Sequence, residues 1–284
     1  MKHIAAISLA ILMAVAVAGT AFAAASVDLG TAKSFAVLAG TTITNTGATT
    51  ITGDVGVHPG KTATGFTTVT LHGAKHLGDA VALSAKNSLV TAYNDAAGAT
   101  PVTSVPTELG GTTLNPGVYA SDTLGLTGTV TLDGAGVYIF QASSTLITAP
   151  NSTVALINGA SACSVYWQVG SSATLDTSTS FKGTIIALTS IALKTGATLQ
   201  GRALARNGAV TMDHNTINDS ACAAPSSTGG ANATRTGPPT DIAASTPPPI
   251  IVWPSGPVLV LIVVAVIALI GSVRFAASRS GNPD

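Results

Sequence analysis

Two tetrapeptides, Thr177-Ser178-Thr179-Ser180 and Thr195-Gly196-Ala197-Thr198, lie 18 residues apart. Each runs on into an apolar residue, a long polar one and a glycine, as Phe181-Lys182-Gly183 and Leu199-Gln200-Gly201. That length suits one coil of a β-solenoid, with three short strands and their corners. Two further peptides fit the same Thr-small-X-Thr/Asn template: Thr46-Gly47-Ala48-Thr49 and Thr148-Ala149-Pro150-Asn151. Stacked, the four motifs would set Thr46, Thr49, Thr148, Asn151, Thr177, Ser180, Thr195 and Thr198 into one flat, neutral array of hydroxyl and methyl groups. Strand side chains alternate, so either a corner falls between the first and fourth positions or only one of the two lies on that face.

The rest of the central region carries strand signals. Val118-Tyr119-Ala120, Val130-Thr131-Leu132, Val137 to Phe140, Val154 to Ile157, Val165-Tyr166-Trp167, Gly183 to Ala187, Ala203 to Ala205 and Val210 to Asp213 all read as strands. Ser34 to Val57 reads as short strands broken by glycines, and a pitch near 18 residues is expected through the second half. One segment differs. From His76 to Ala97 the apolar positions Leu77, Val81, Ala85, Leu89, Ala92 and Ala96 keep helical spacing, and Gly98 supplies a stop. Pro101 to Pro116 reads as a loop or cap. A β-sandwich is the structural alternative, although its outer positions usually carry more charge.

Only 8% of the 284 residues are charged, with 12 basic and 12 acidic side chains. No nucleic-acid partner is expected, because that role needs a basic footprint. Both ends look like processing or anchoring segments. Lys2, the apolar run Ile4 to Val17 and Ala21-Phe22-Ala23 read as a secretory signal over residues 1–23, with an uncleaved anchor as the alternative. Export permits disulfides. Cys163 and Cys222 allow one bridge, worth about 4 kcal/mol in the chain-entropy account, or else two buried free thiols.

The folded domain is expected over residues 26–224. Residues 225–249, rich in Pro, Gly, Ser and Thr, read as a linker whose Pro247-Pro248-Pro249 makes an extended spacer. Val258 to Val273 alone would span only ~24 Å as a helix, so Ile250 to Pro257 completes the membrane crossing. Residues 250–273 are therefore expected to be a single transmembrane helix, with 274–284 a cytoplasmic tail carrying Arg274 and Arg279. A sorting signal that is later cut is the competing reading, and no Leu-Pro-x-Thr-Gly motif supports a sortase version.

Other constellations are weaker. His58, His72 and His76 lie near Asp54 and Asp79 without metal-ligand spacing, and read as loop and helix-start residues. Asp176 and Asp213 occupy similar places in successive coils, which suggests paired carboxylates. Arg202 and Arg206 are expected to satisfy corner carbonyls or carboxylates such as Asp176. No metal, cofactor or catalytic residue is assigned, and Asn151, Asn218 and Asn232 sit in Asn-x-Ser/Thr sequons.

Three longer segments carry a resemblance: Ala162 to Leu175, Gly201 to Asp213, and Leu38-Ala39-Gly40 through Gly53-Asp54-Val55-Gly56-Val57-His58-Pro59-Gly60. They closely resemble microbial ice-binding proteins. The resemblance implies a right-handed, three-faced, discontinuous β-solenoid with one long helix alongside. In it, N-terminal strands join a stack made otherwise by the C-terminal half. It also implies an ice-contacting face built on the Thr-Ala/Gly-x-Thr/Asn motifs. The expected protein is a non-enzymatic, monomeric domain that contacts ice and is held outside the cell by its membrane helix. A cell-surface adhesin for carbohydrate or another cell is the alternative, followed by a glycan-cleaving β-helix enzyme.

Overall fold

Apolar and small polar residues alternate here for only three to five residues at a time. Residues with positive φ then turn the backbone, among them Gly47 (+74°), Asn151 (+59°), Ser178 (+58°) and Gly196 (+73°). The outcome is a coil of three strand segments, repeated in parallel. A computed structural model describes residues 25–222. The expected signal segment 1–23, the linker 225–249, the membrane helix 250–273 and the tail lie outside them. Among the described residues no helix is long and apolar enough to cross a membrane.

The strands form two sheets of 15 and 7 strands, with every pairing parallel. The larger sheet wraps two sides of the stack. Its strands Ser180–Ala187 and Thr198–Ala205 run through both sides and bend at Gly183 (φ +111°) and Gly201 (φ +147°). The first side, the covered face, contains Phe35–Ala39, Asp54–Val57, Tyr138–Ala142 and Val165–Val169. The second side, here the first open face, contains Thr49–Thr52, Thr129–Asp133, Thr153–Ile157 and Thr216–Asn218. The 7-stranded sheet is the second open face, running Leu124–Leu126, Leu146–Thr148, Ala173–Leu175, Ile191–Leu193, Val210–Asp213, Thr42–Thr46 and Thr62–Thr64.

Spatial order departs from chain order. Phe35–Ala39 pairs with Thr198–Ala205, putting Val37 beside Ala203, and Thr42–Thr46 pairs with Val210–Asp213. The N-terminal coils therefore sit on the last C-terminal coil. The chain then returns to the far end of the stack along the 18-residue helix Ala80–Ala97, ~27 Å long. Asp79 caps that helix by accepting from the Ala82 N–H at 2.8 Å. The helix lays Ala82, Ala85, Leu89, Ala92 and Ala96 on the covered face, meeting Leu38, Ile139, Tyr166, Ile186 and Leu204. Covered on both sides, those strands are apolar at successive positions, and Phe35–Ala39 and Val165–Val169 are buried throughout.

Inside the coils, register stacks like on like. Tyr119, Phe140 and Trp167 are cross-strand neighbours, with ring centroids 5.5 Å and then 4.0 Å apart, and Phe181 tilts onto Trp167 at 4.8 Å. Cys163 and Cys222 are joined by a disulfide that ties the 3-10 turn Ala162–Ser164 to the end of the last coil.

Three sequence expectations shift. The helix begins at Ala80, because Lys75–Leu77 is taken into the covered face beside Asp54–Val57. Residues 101–116 form a terminal coil: Val102–Ser104, a bridge from Glu108 to Gly125, and Thr113–Leu114. The 18-residue pitch holds from Ser180 to Thr198 to Thr216. Earlier coils are longer, since Thr129 pairs with Thr153 and Thr153 with Ser180.

Candidate functional site

The second open face is built from apolar-X-apolar triplets: Leu124-Gly125-Leu126, Ala173-Thr174-Leu175, Ile191-Ala192-Leu193 and Val210-Thr211-Met212. The outer members are buried and the central one points outward. Cross-strand register lines the central residues up as Gly125, Ile147, Thr174, Ala192, Thr211, Thr44 and Thr64. A second row lies one residue before each triplet, with Thr123, Thr145, Ser172, Ser190, Ala209, Thr42 and Thr62 in order. Both rows are neutral and short apart from Ile147, which is 52% exposed. Strand spacing makes the seven-strand face ~29 Å long. Ser172 and Ser190 hydroxyls accept from the backbone N–H groups of Ser190 and Ala209, which fixes them between coils.

A charged rail borders these rows. Asp176, Lys194, Asp213 and Thr46 follow one another along the stack. Lys194 Nζ donates to Asp176 Oδ2 at 3.1 Å, so the lysine lies along the rail. The Thr177 N–H and then Lys194 hold the Asp176 carboxyl below its ordinary range. The Thr195 hydroxyl and then His214 do the same for Asp213. Lys194 thus stands between the two carboxylates suggested by the sequence as a pair, and neither is raised as a general acid requires.

The first open face carries its own ladder. Thr129, Thr153, Ser180, Thr198, Thr216, Thr50 and Thr70 are direct cross-strand partners, an unbroken hydroxyl row over seven strands. The row beside it is longer and partly charged, with Lys182, Gln200, Asn218, Thr52 and His72 in register.

The eight motif residues divide among these places. Thr46 is exposed at the rail end of the second open face. Ser180 and Thr198 lie in the first-face ladder. Thr177, Thr195 and Asn151 sit at the corner between the faces, and Thr195 spends its hydroxyl on Asp213 Oδ2 at 2.5 Å. Thr49 and Thr148 are not on the surface. They are 2% and 1% exposed and point into the corner. Thr49 Oγ1 accepts from the Asn215 N–H at 3.0 Å, while Thr148 Oγ1 accepts from the Asp176 N–H and contacts Thr179 Oγ1, both at 2.8 Å. These hydroxyls satisfy corner backbone groups that would otherwise be buried without partners. The corner after Thr46 falls at Gly47, so Thr50 rather than Thr49 reaches the surface.

Arg202 finds the expected kinds of partner, backbone carbonyls and a carboxylate, although the carboxylate is a different one. Its partners are Asp219 at 3.7 Å and the carbonyls of Lys33 and Cys222, not Asp176. Burial pushes Asp219 up to about 6 and Arg202 downward, so desolvation outweighs the attraction between them. His76 bonds Asp79 at 2.8 Å at the helix start.

A parallel β-solenoid-like stack with one flanking helix, two hydroxyl-bearing open faces and few charges defines a class of rigid surface-presenting proteins. Residues 37–218 match the Ice-binding-like family, and the chain belongs to it. An ice-binding protein of Nostoc sp. (strain HG1) is 48% identical over 204 residues, spanning 69% of this chain and 76% of the relative. One from Colwellia sp. is 36% identical over 215 residues, spanning 68% and 83%. Among solved structures, an ice-binding protein from an Antarctic biological consortium superposes with a TM-score of 0.67 at 50% identity, over 68% of this chain and 91% of that one. The ice-binding protein of the Antarctic ascomycete Antarctomyces psychrotrophicus gives 0.66 at 41% identity, over 68% and 98%.

Proposed function

We propose that this protein adsorbs to ice through its second open face and so slows ice growth and recrystallisation. The observation that carries the reading is the pair of adjacent rows of short, neutral side chains held in register across seven strands. Their rungs repeat every ~4.7–4.9 Å, close to a repeat of the ice lattice. Threonine offers water a hydroxyl anchor and a methyl to cage, and β-branching holds both in place. A surface already rigid loses little freedom on contact. The ice-binding relatives from Nostoc and Colwellia support the same reading. In this proposal residues 1–23 direct export, and residues 250–273 hold the domain at the cell surface, where it attaches the cell to ice or protects its surroundings.

The unbroken hydroxyl ladder, threonine at every strand but Ser180, favours the first open face as a second reading. Lys182, Gln200 and His72 beside it count against that face, because long and charged side chains break up an ordered water layer. The test of ice binding is slow freezing of the purified domain, residues 25–222. Enrichment in the ice fraction is expected, together with inhibited recrystallisation. A folded sample excluded from ice like any inert protein of its size contradicts the proposal.

A further inference from the structure

From Cys222 the chain continues to residues 250–273, the segment proposed to hold the domain at the cell surface. Tension in such a tether enters the fold at Cys222. The elements it meets there are slight: the 3-10 turn Ser220–Cys222 and, before it, the three-residue strand Thr216–Asn218. Two long hydrogen bonds hold the turn. The Cys222 carbonyl accepts from Arg202 at 3.4 Å, and the Asp219 N–H donates to the Thr52 carbonyl at 3.2 Å. The strand nevertheless has a joining role. It pairs with Thr198–Ala205 on one side and Thr49–Thr52 on the other, so it binds the C-terminal coils to the N-terminal ones on the first open face. Pulled away from the stack by its end, a strand opens pair by pair, with each ladder bond resisting alone. Its departure would uncover Ile217, which is fully buried.

The disulfide gives the load another route. Cys222 is bonded to Cys163, 59 residues earlier, in the turn Ala162–Ser164. That turn leads directly into Val165–Val169, a strand buried at every position and paired on both sides, with Tyr138–Ala142 and Ser180–Ala187. Trp167 anchors it inside the coil. Its ring stacks on Phe140 with centroids 4.0 Å apart, and its indole N–H donates to the Lys182 carbonyl at 3.0 Å. The helix holds the same strand from outside, where Gln168 Nε2 donates to the Tyr93 hydroxyl at 2.8 Å. Drawing Cys163 out of the fold therefore means parting this strand from two neighbours and the helix together.

From this arrangement we infer that the Cys163–Cys222 disulfide is a mechanical clamp. It passes tension from the C-terminal tether around the last strand and into the middle of the stack, so the N-terminal coils stay joined under load. The tether reading supplies the source of the load; the ice-binding reading is not needed. A disulfide that only restricts the unfolded chain would strengthen the domain in every direction of pull. A clamp protects against pull from the C-terminus alone.

Single-molecule force measurements on residues 25–249 separate the two. They contain the whole folded unit, since the matched region covers 98% of the solved ascomycete chain. The domain is held by an azide-bearing amino acid in place of Thr174, on the second open face, and pulled from either end. Under constant force at the C-terminus, C163S/C222S should open roughly tenfold faster than the wild type or more. The length released identifies the state of the bond, at most ~40 Å between handle and Cys222 with the disulfide intact and ~170 Å without it. Under the same force at the N-terminus, the two forms should open at the same rate. Equal rates from the C-terminus overturn the inference, and so does a comparable acceleration from both ends, which is the signature of general stabilisation. Neither result bears on ice binding or on whether the tether is present in the cell. If the double variant does not fold, a thiol reductant added to the wild type already folded between its handles makes the same comparison.

Discussion

At the scale of single residues, burial decides which groups serve the surface and which serve the frame. Lys86 is the clearest frame residue. It lies 7% exposed under the helix, and its ammonium donates to the carbonyls of Ala205 and Arg206. Burial and the nearby Arg206 lower its pKa to about 8. The folded state therefore releases this proton at lower pH than the unfolded chain does. Between pH 8 and about 10 the unfolded state holds more protons, so stability rises with pH, at a slope approaching ~1.4 kcal/mol per unit. Denaturant unfolding across that window should show the rise, and Lys86→Met should remove it. Above this range Tyr119 and Tyr166, both raised by burial, push the other way. The motif threonines show how far such roles can be read in advance. Thr46 and Thr198 are legible as surface residues because each sits in an alternating strand. Thr49 is not, because its hydroxyl is claimed by Asn215, 166 residues away, and no local pattern encodes that partner.

At the scale of elements, glycine geometry sets where a coil turns. Gly201 lies at φ +147°, and an added Cβ would come 2.0 Å from the Gly183 carbonyl oxygen in the next coil. Gly111 has a positive φ of +78° but open space around it. Gly201→Ala should thus cost more than ~2 kcal/mol, while Gly111→Ala should cost about 1 kcal/mol. The midpoints of chemical unfolding read the difference directly. The longer strands were legible, since Val130-Thr131-Leu132 and Val165-Tyr166-Trp167 alternate or bury along their length. The three-residue strands of the second open face were not, because one outward residue between two apolar ones is too short to establish a period. The signal that could have found them is the recurrence of apolar-X-apolar triplets, from Leu124-Gly125-Leu126 to Val210-Thr211-Met212. The helix start was misplaced by four residues for a related reason. Leu77 keeps helical spacing with Val81, yet its backbone is taken by Val57 across the covered face.

At the scale of the whole molecule, a helix carries the chain from one end of the stack to the other, so that N-terminal coils complete a surface begun at residue 124. Thr42, Thr44 and Thr62 extend rows whose other members lie some 60 to 170 residues further along. Single segments do not reveal this order, which emerges only from pairings such as Val37 with Ala203. It also adds two strands, Thr42–Thr46 and Thr62–Thr64, to the face proposed to contact ice. The most direct test places one bulky side chain on each open face and measures thermal hysteresis. Thr211→Tyr should cost most of the activity, and Thr198→Tyr should leave most of it, with both variants as stable as the parent. Loss with Thr198→Tyr and retention with Thr211→Tyr would contradict the assignment and move the ice contact to the hydroxyl ladder of the first open face.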